Sequence, residues 1–118
     1  MTRVMVADDD PDLVAICSMI LESEGYSVES ARNGNEAVDR LFDDGVDVLL
    51  LDVMMPVLDG LSVCKILKRD PRTKDLPIVL ISASSVLRER GRDCADAVLA
   101  KPFDIDDLVQ TVSHFAPA

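Results

Sequence analysis

The sequence predicts an α/β fold: a three-layer α/β/α sandwich built on a five-stranded parallel sheet. Three observations predict it. Apolar periodicity switches repeatedly between short strand-like runs and helix-like faces, five of each. No break between them is long enough to be a linker, so 118 residues read as a single domain, 1–118. Runs 47–51 and 77–81 are almost wholly apolar, as central strands covered on both faces must be. Strict alternation of this kind means parallel strands joined by right-handed crossovers.

Each element has a local cause. Strand-like runs fall at 3–7, 26–30, 47–51, 77–81 and 97–100. The first helix, 11–24, opens with Asp10 as N-cap and Pro11 at the first helical position. It sets Leu13, Ile16, Cys17, Ile20 and Leu21 on one face and stops at Gly25. Asn33 and Glu36 have the spacing of a capping box for a second helix carrying Val38, Leu41 and Phe42, which Gly45 ends. A third helix, 60–68, turns Leu61, Cys64 and Leu67 inward and stops before Asp70-Pro71. A fourth, 85–92, is short and polar. The fifth starts at Asp104 and is expected to bury Ile105, Leu108, Val109, Val112 and Phe115.

Composition excludes several function classes. Twelve bases against twenty-two acids leave a net charge of -10, the wrong sign for gripping a phosphate backbone or an anionic membrane directly. No apolar run approaches the roughly 18 residues of a membrane span. Cys17, Cys64 and Cys94 have no metal-binding or redox spacing. Cys17 and Cys64 fall on apolar helical faces and read as buried free thiols, so a soluble, cytoplasmic protein is expected. Within the acids, Asp outnumbers Glu 17 to 5. Asp favours caps and turns over helix surfaces, so the excess marks loops, or a site needing short carboxylates.

In open parallel sheets, ligand chemistry gathers beyond the carboxyl ends of the strands. Here the first run ends in Asp8, Asp9 and Asp10, and the third runs through three leucines into Asp52. The fourth ends in Ser82, and the fifth in Lys101-Pro102. Asp10 is accounted for as a cap; Asp8 and Asp9 are not. Three carboxylates brought together repel one another unless a cation intervenes. A hard divalent ion such as Mg²⁺, with Mn²⁺ as substitute, is the natural solution. A lysine and a hydroxyl beside it suit the oxygens of a phosphoryl group. Asp52 then stands as a nucleophile able to form an aspartyl-phosphate.

The stretches VMVADDDPDL, LLLDVMMPVLDG, PIVLISA and AKPFD, in this order and spacing, resemble the receiver domain of bacterial two-component response regulators over essentially the whole chain. The resemblance implies a flavodoxin-like fold with strand order 2-1-3-4-5. It implies that Asp52 accepts a phosphoryl group from a histidine kinase, a histidine phosphotransfer protein or a small phosphodonor. Asp9 and Asp52 would bind Mg²⁺ directly, Asp8 through water, and the backbone carbonyl of Met54 would be the third protein ligand. Ser82 matches the switch hydroxyl and Lys101 the phosphate-contacting lysine, whose bond to Pro102 is usually cis in the family. Asp59-Gly60 matches the turn that opens the third helix.

One departure stands out. Three residues before Lys101, many receivers carry an aromatic ring that turns inward on activation; here the residue is Val98. Signalling is therefore expected to run through displacement of the loop after Ser82 and of the fourth helix. Met54 and Ser84 occupy the family's lifetime-tuning positions without an acid or amide side chain, which predicts a long-lived acyl phosphate. Eight of the twelve Lys and Arg lie between 65 and 92. They form either a solvated surface or a docking face for an effector or dimer mate, and region 84–101 is the expected effector surface. A phosphatase with an Asp nucleophile would need a carboxylate at position 54 and a cap domain. A phosphorylation-independent pseudo-receiver would have no use for the intact set Asp8, Asp9, Asp52, Ser82 and Lys101. The expectation is thus a signalling switch, and no enzyme acting on an external substrate.

Overall fold

A computed structural model describes residues 1–43 and 45–118. Strands β1 (Arg3–Ala7), β2 (Ser27–Ala31), β3 (Val48–Asp52), β4 (Ile78–Ser82) and β5 (Ala97–Ala100) alternate with helices α1 (Pro11–Ser23), α2 (Gly34–Asp43), α3 (Gly60–Arg69), α4 (Ser85–Gly91) and α5 (Ile105–Phe115). All pairings are parallel, and the sheet order is β2-β1-β3-β4-β5. This is the predicted three-layer α/β/α sandwich.

Side-chain alternation sorts the strands onto two cores. Met5, Leu49, Leu51, Ile78 and Leu80 face α2 and α3, where they meet Ala37, Leu41, Val63, Cys64 and Leu67. Val4, Val6, Val48, Leu50, Val79 and Ile81 face the other way, onto Cys17 and Leu21 of α1 and Leu108 and Val112 of α5. Cys17 and Cys64 are buried free thiols, and Cys94 is half-buried. Among the described residues, no helix is long and apolar enough to cross a membrane.

The caps follow the sequence closely. The Asp10 carboxylate accepts from the N–H groups of Asp12 and Leu13. Past the end of α1, Gly25 takes φ +98°. Its N–H reaches the Glu22 carbonyl and the Tyr26 N–H reaches that of Leu21, which satisfies two orphan carbonyls of the helix. Asn33 accepts from the Glu36 N–H at 2.9 Å, but the Glu36 carboxylate pairs with Arg32 and Arg40, so half of the expected capping box forms. The expected stop of α2 at Gly45 turns on residue 44, which lies outside the described residues.

Three strands begin one residue later than expected. The Tyr26 N–H is spent on the α1 cap, so the ladder starts at Ser27. The ladders of β3 and β4 likewise start at Val48 and Ile78 and run through Asp52 and Ser82, which are therefore the last strand residues. The helices agree with expectation to within one residue. The larger corrections are Ile16 and Ile105, expected in the core but 53% and 58% exposed.

Gly60 fixes how β3 hands over to α3. A methyl group placed on it would lie 2.3 Å from the Asp52 carbonyl oxygen and 2.8 Å from the Val53 Cα. All the close atoms are backbone of the Asp52–Val53 segment, which cannot yield cheaply. Gly60→Ala is expected to destabilise the fold by about 1–3 kcal/mol, read as a lowered urea midpoint. An unchanged midpoint would show that the β3–α3 connection tolerates the displacement.

Candidate functional site

The carboxyl ends of β1, β3, β4 and β5 bring the chemistry to one edge. Asp8 directly follows β1 and is 3% exposed. Its backbone N–H is held by the Ala31 carbonyl, and one carboxylate oxygen accepts from the Asp10 N–H at 2.9 Å. Its other oxygen accepts from the Lys101 ammonium at 3.1 Å. Lys101 also stands 3.3 Å from Oδ1 of Asp52, which is 4% exposed. One ammonium thus bridges two buried carboxylates from strands that neighbour each other in the sheet.

Asp9 is exposed, yet carboxylate oxygens of Asp8, Asp9 and Asp52 lie within 4.8 Å of one another. Three hard anionic donors against one ammonium leave the cluster short of positive charge. The donor set fits a divalent, oxygen-loving cation such as Mg²⁺. Met54 lies two residues beyond the end of β3, with its side chain 66% exposed.

The electrostatics follow from this crowding. Burial raises the Asp52 pKa from 3.8 to about 6, and the neighbouring Asp8 charge adds to the rise. The charge and hydrogen bond of Lys101, with the Met54 N–H, pull the other way without prevailing. For Lys101, burial disfavours the ammonium, but the Asp8 hydrogen bond and the Asp52 charge outweigh it and its pKa goes up.

Ser82 is 1% exposed at the end of β4. Its hydroxyl accepts from the Ser84 N–H at 3.0 Å, and its carbonyl accepts from the Lys101 N–H at 3.1 Å. Ser84 in turn caps α4 by accepting from the Leu87 N–H. The Lys101-Pro102 bond is cis, as the resemblance implied. Val98 sits half-buried in β5 opposite Leu80.

One participant was missed from the sequence. Arg88, one of the bases of the 65–92 stretch, donates to the Ser82 carbonyl at 2.7 Å. Its spacing from Ser82 spans a loop and a helix start, so no periodicity marks it. The structure therefore gathers Asp8, Asp9, Asp52 and Lys101 into one cluster. It places Ser82 beside them, tied to α4 by two hydrogen bonds.

Comparison with known proteins gives a consistent answer. The family model described as the response regulator receiver domain matches residues 4–113. The DNA-binding dual master transcriptional regulator RpaA of a Synechocystis strain is 36% identical over 115 residues, which is 95% of this chain and 48% of that protein. Response regulator MprA of Mycobacterium avium is 44% identical over 110 residues, 91% of this chain and 47% of that protein. The chain spans about half the length of these curated relatives. Among solved structures, response regulator protein TrrA from Thermotoga maritima, in complex with Mg²⁺–BeF, matches with a TM-score of 0.90 at 33% identity, covering 98% of this chain and 99% of that one.

Proposed function

The chain belongs to the response regulator receiver domain family, and from that premise we propose that it is a phosphorylation-driven switch whose phosphoryl group is carried on Asp52. The observation that carries this reading is the Lys101 ammonium held between Asp8 and Asp52 at the sheet edge. In the transfer, a carboxylate oxygen of Asp52 attacks the phosphorus of a phosphohistidine. The P–N bond breaks as the new P–O bond forms, and the histidine nitrogen leaves with the bonding electron pair. The donor is a histidine kinase, a histidine phosphotransfer protein or a small molecule such as acetyl phosphate.

Each residue has a part in that step. Above its raised pKa, Asp52 is anionic and available to attack. Lys101 offsets charge on the phosphoryl oxygens. Asp8, Asp9, Asp52 and the Met54 carbonyl would hold Mg²⁺, which neutralises phosphoryl charge when bound. Mn²⁺ would serve in its place. Ser82 gives up the Ser84 N–H to turn its hydroxyl toward the phosphoryl group, and α4 follows because Ser84 caps it and Arg88 is tied to Ser82.

A donor protein needs a foothold beside Asp52. The apolar rim of exposed Ile16 and Ile105 with half-buried Leu13, Ile20 and Phe103 supplies one, next to Lys101. The α4–β5 region, 84–101, presents the change to an effector domain, a separate protein or a second copy of the chain. The protein works in the cytoplasm and turns over no external substrate.

Incubation with acetyl phosphate and Mg²⁺ is expected to add the mass of one phosphoryl group. No gain, even with a cognate kinase, would favour a phosphorylation-independent adaptor. Once donor is removed, the label is expected to decay over minutes or longer. Neither the Met54 thioether nor the Ser84 hydroxyl, committed to its cap, orients an attacking water. A half-life of seconds would reject that part of the reading.

A further inference from the structure

Between α3 and α4 lies an open trough of about 590 Å³, far from the acidic edge in charge. Leu61 and Cys94 line it together with Lys65, Lys68, Arg69 and Arg90; Asp93 stands on its wall. A hollow of about 340 Å³ continues it toward Met54, sharing Leu61, Lys65 and Arg90 and adding Asp59 and Leu87. The result is one channel with a mixed polar and apolar lining and a preponderance of cations.

Most other bases of the 65–92 stretch have partners. Arg72 pairs with Asp70 and lies over the Phe42 ring. Arg92 pairs with Glu89, Arg88 is turned onto Ser82, and Lys68 is held by Asp96 at 2.7 Å and the Leu76 carbonyl at 3.1 Å. Among the described residues, Lys65, Arg69 and Arg90 form no ion pair. Lys65 and Arg69 stand four residues apart on one helix face, where like charges disfavour the helix. Three cations without an ion pair thus converge on one trough, against the single carboxylate of Asp93, in a chain whose net charge is -10.

We propose that the α3–α4 trough is a docking site for a short acidic peptide segment of a partner protein, its carboxylates on Lys65, Arg69 and Arg90 and its intervening apolar side chains against Leu61, Leu87 and Cys94. Charge complementarity selects the sign of the ligand, and the mixed lining selects a peptide over an inorganic anion. A nucleic acid fits less well. Salt screens the patch within about 10 Å, so a longer polyanion runs off it into the field of the surrounding acids.

The test uses the whole chain and a fluorescein-labelled peptide of alternating Glu and Leu pairs, followed by anisotropy. The wild type is expected to bind, and the double variant Arg69→Glu, Arg90→Glu to bind at least about tenfold more weakly. Cys94 borders the trough while Cys17 and Cys64 are buried, so the peptide is also expected to slow alkylation of Cys94 by iodoacetamide. Labelling of the double variant by acetyl phosphate is expected to match the wild type. That control separates a failure here from a failure at Asp52 or in folding. Absent binding, equal binding by both proteins, unprotected Cys94, or equally tight binding of a single-stranded DNA would each overturn the proposal.

Discussion

Asp52→Asn is expected to abolish phosphoryl acceptance while making the cation-free domain more stable at neutral pH. The first half follows from losing the nucleophilic oxygen: an amide cannot form the acyl phosphate, so acetyl phosphate should add no mass. The second half follows from burial. The folded pKa of Asp52, about 6, lies above its ordinary 3.8, so the folded state holds a proton that the unfolded chain has released between those values. Its contribution to stability is full below about pH 4 and is lost as pH rises through about 6. Above that, the ionised group is a net penalty of about 1–3 kcal/mol. Asn removes the charge and keeps the shape. Urea midpoints in chelator should therefore favour the variant at about pH 7.5 and converge with the wild type at about pH 4. A variant that still gains mass, or is the less stable protein at the higher pH, would refute the assignment.

Lys101→Met should have the opposite effect on stability. The ammonium is the cation shared by Asp8 and Asp52, at 3.1 and 3.3 Å, and both carboxylates are nearly inaccessible to water. Breaking a buried pair by removing one partner costs about 3–5 kcal/mol. The lysine side chain is 26% exposed, which lowers the expected loss to about 2 kcal/mol. The loss should shrink as pH falls through about 6 and Asp52 takes up its proton. Labelling by acetyl phosphate should slow about a hundredfold, the usual effect of deleting one charge-stabilising donor. Unchanged labelling would remove Lys101 from the transfer step.

Much of this is legible in the amino-acid sequence. The almost wholly apolar third and fourth runs mark the centre of the sheet. Residues as far apart in sequence as Asp8, Asp52 and Lys101 were placed at one edge by strand-end position alone. What escaped was set by three-dimensional neighbours. Ile16 and Ile105 carry the spacing of core residues, but a helical stripe cannot say where its neighbour stops covering it. Both lie at the open rim between α1 and the β5–α5 connection. The one-residue shifts of β3 and β4 depend on ladder hydrogen bonds invisible in a residue pattern. They matter, because they draw Asp52 and Ser82 into the sheet and give Asp52 its raised pKa. Arg88 was missed for a related reason: its partner is a backbone carbonyl, which has no sequence signature.

Sheet order has a consequence for timing. The cluster draws on the carboxyl ends of β1, β3 and β5, and β5 is an edge strand and the last made. A chain still emerging from the ribosome, or one cut before Lys101, has its carboxylates but not their counter-ion. On the proposed reading, full-rate phosphoryl transfer to Asp52 therefore waits for the final strand.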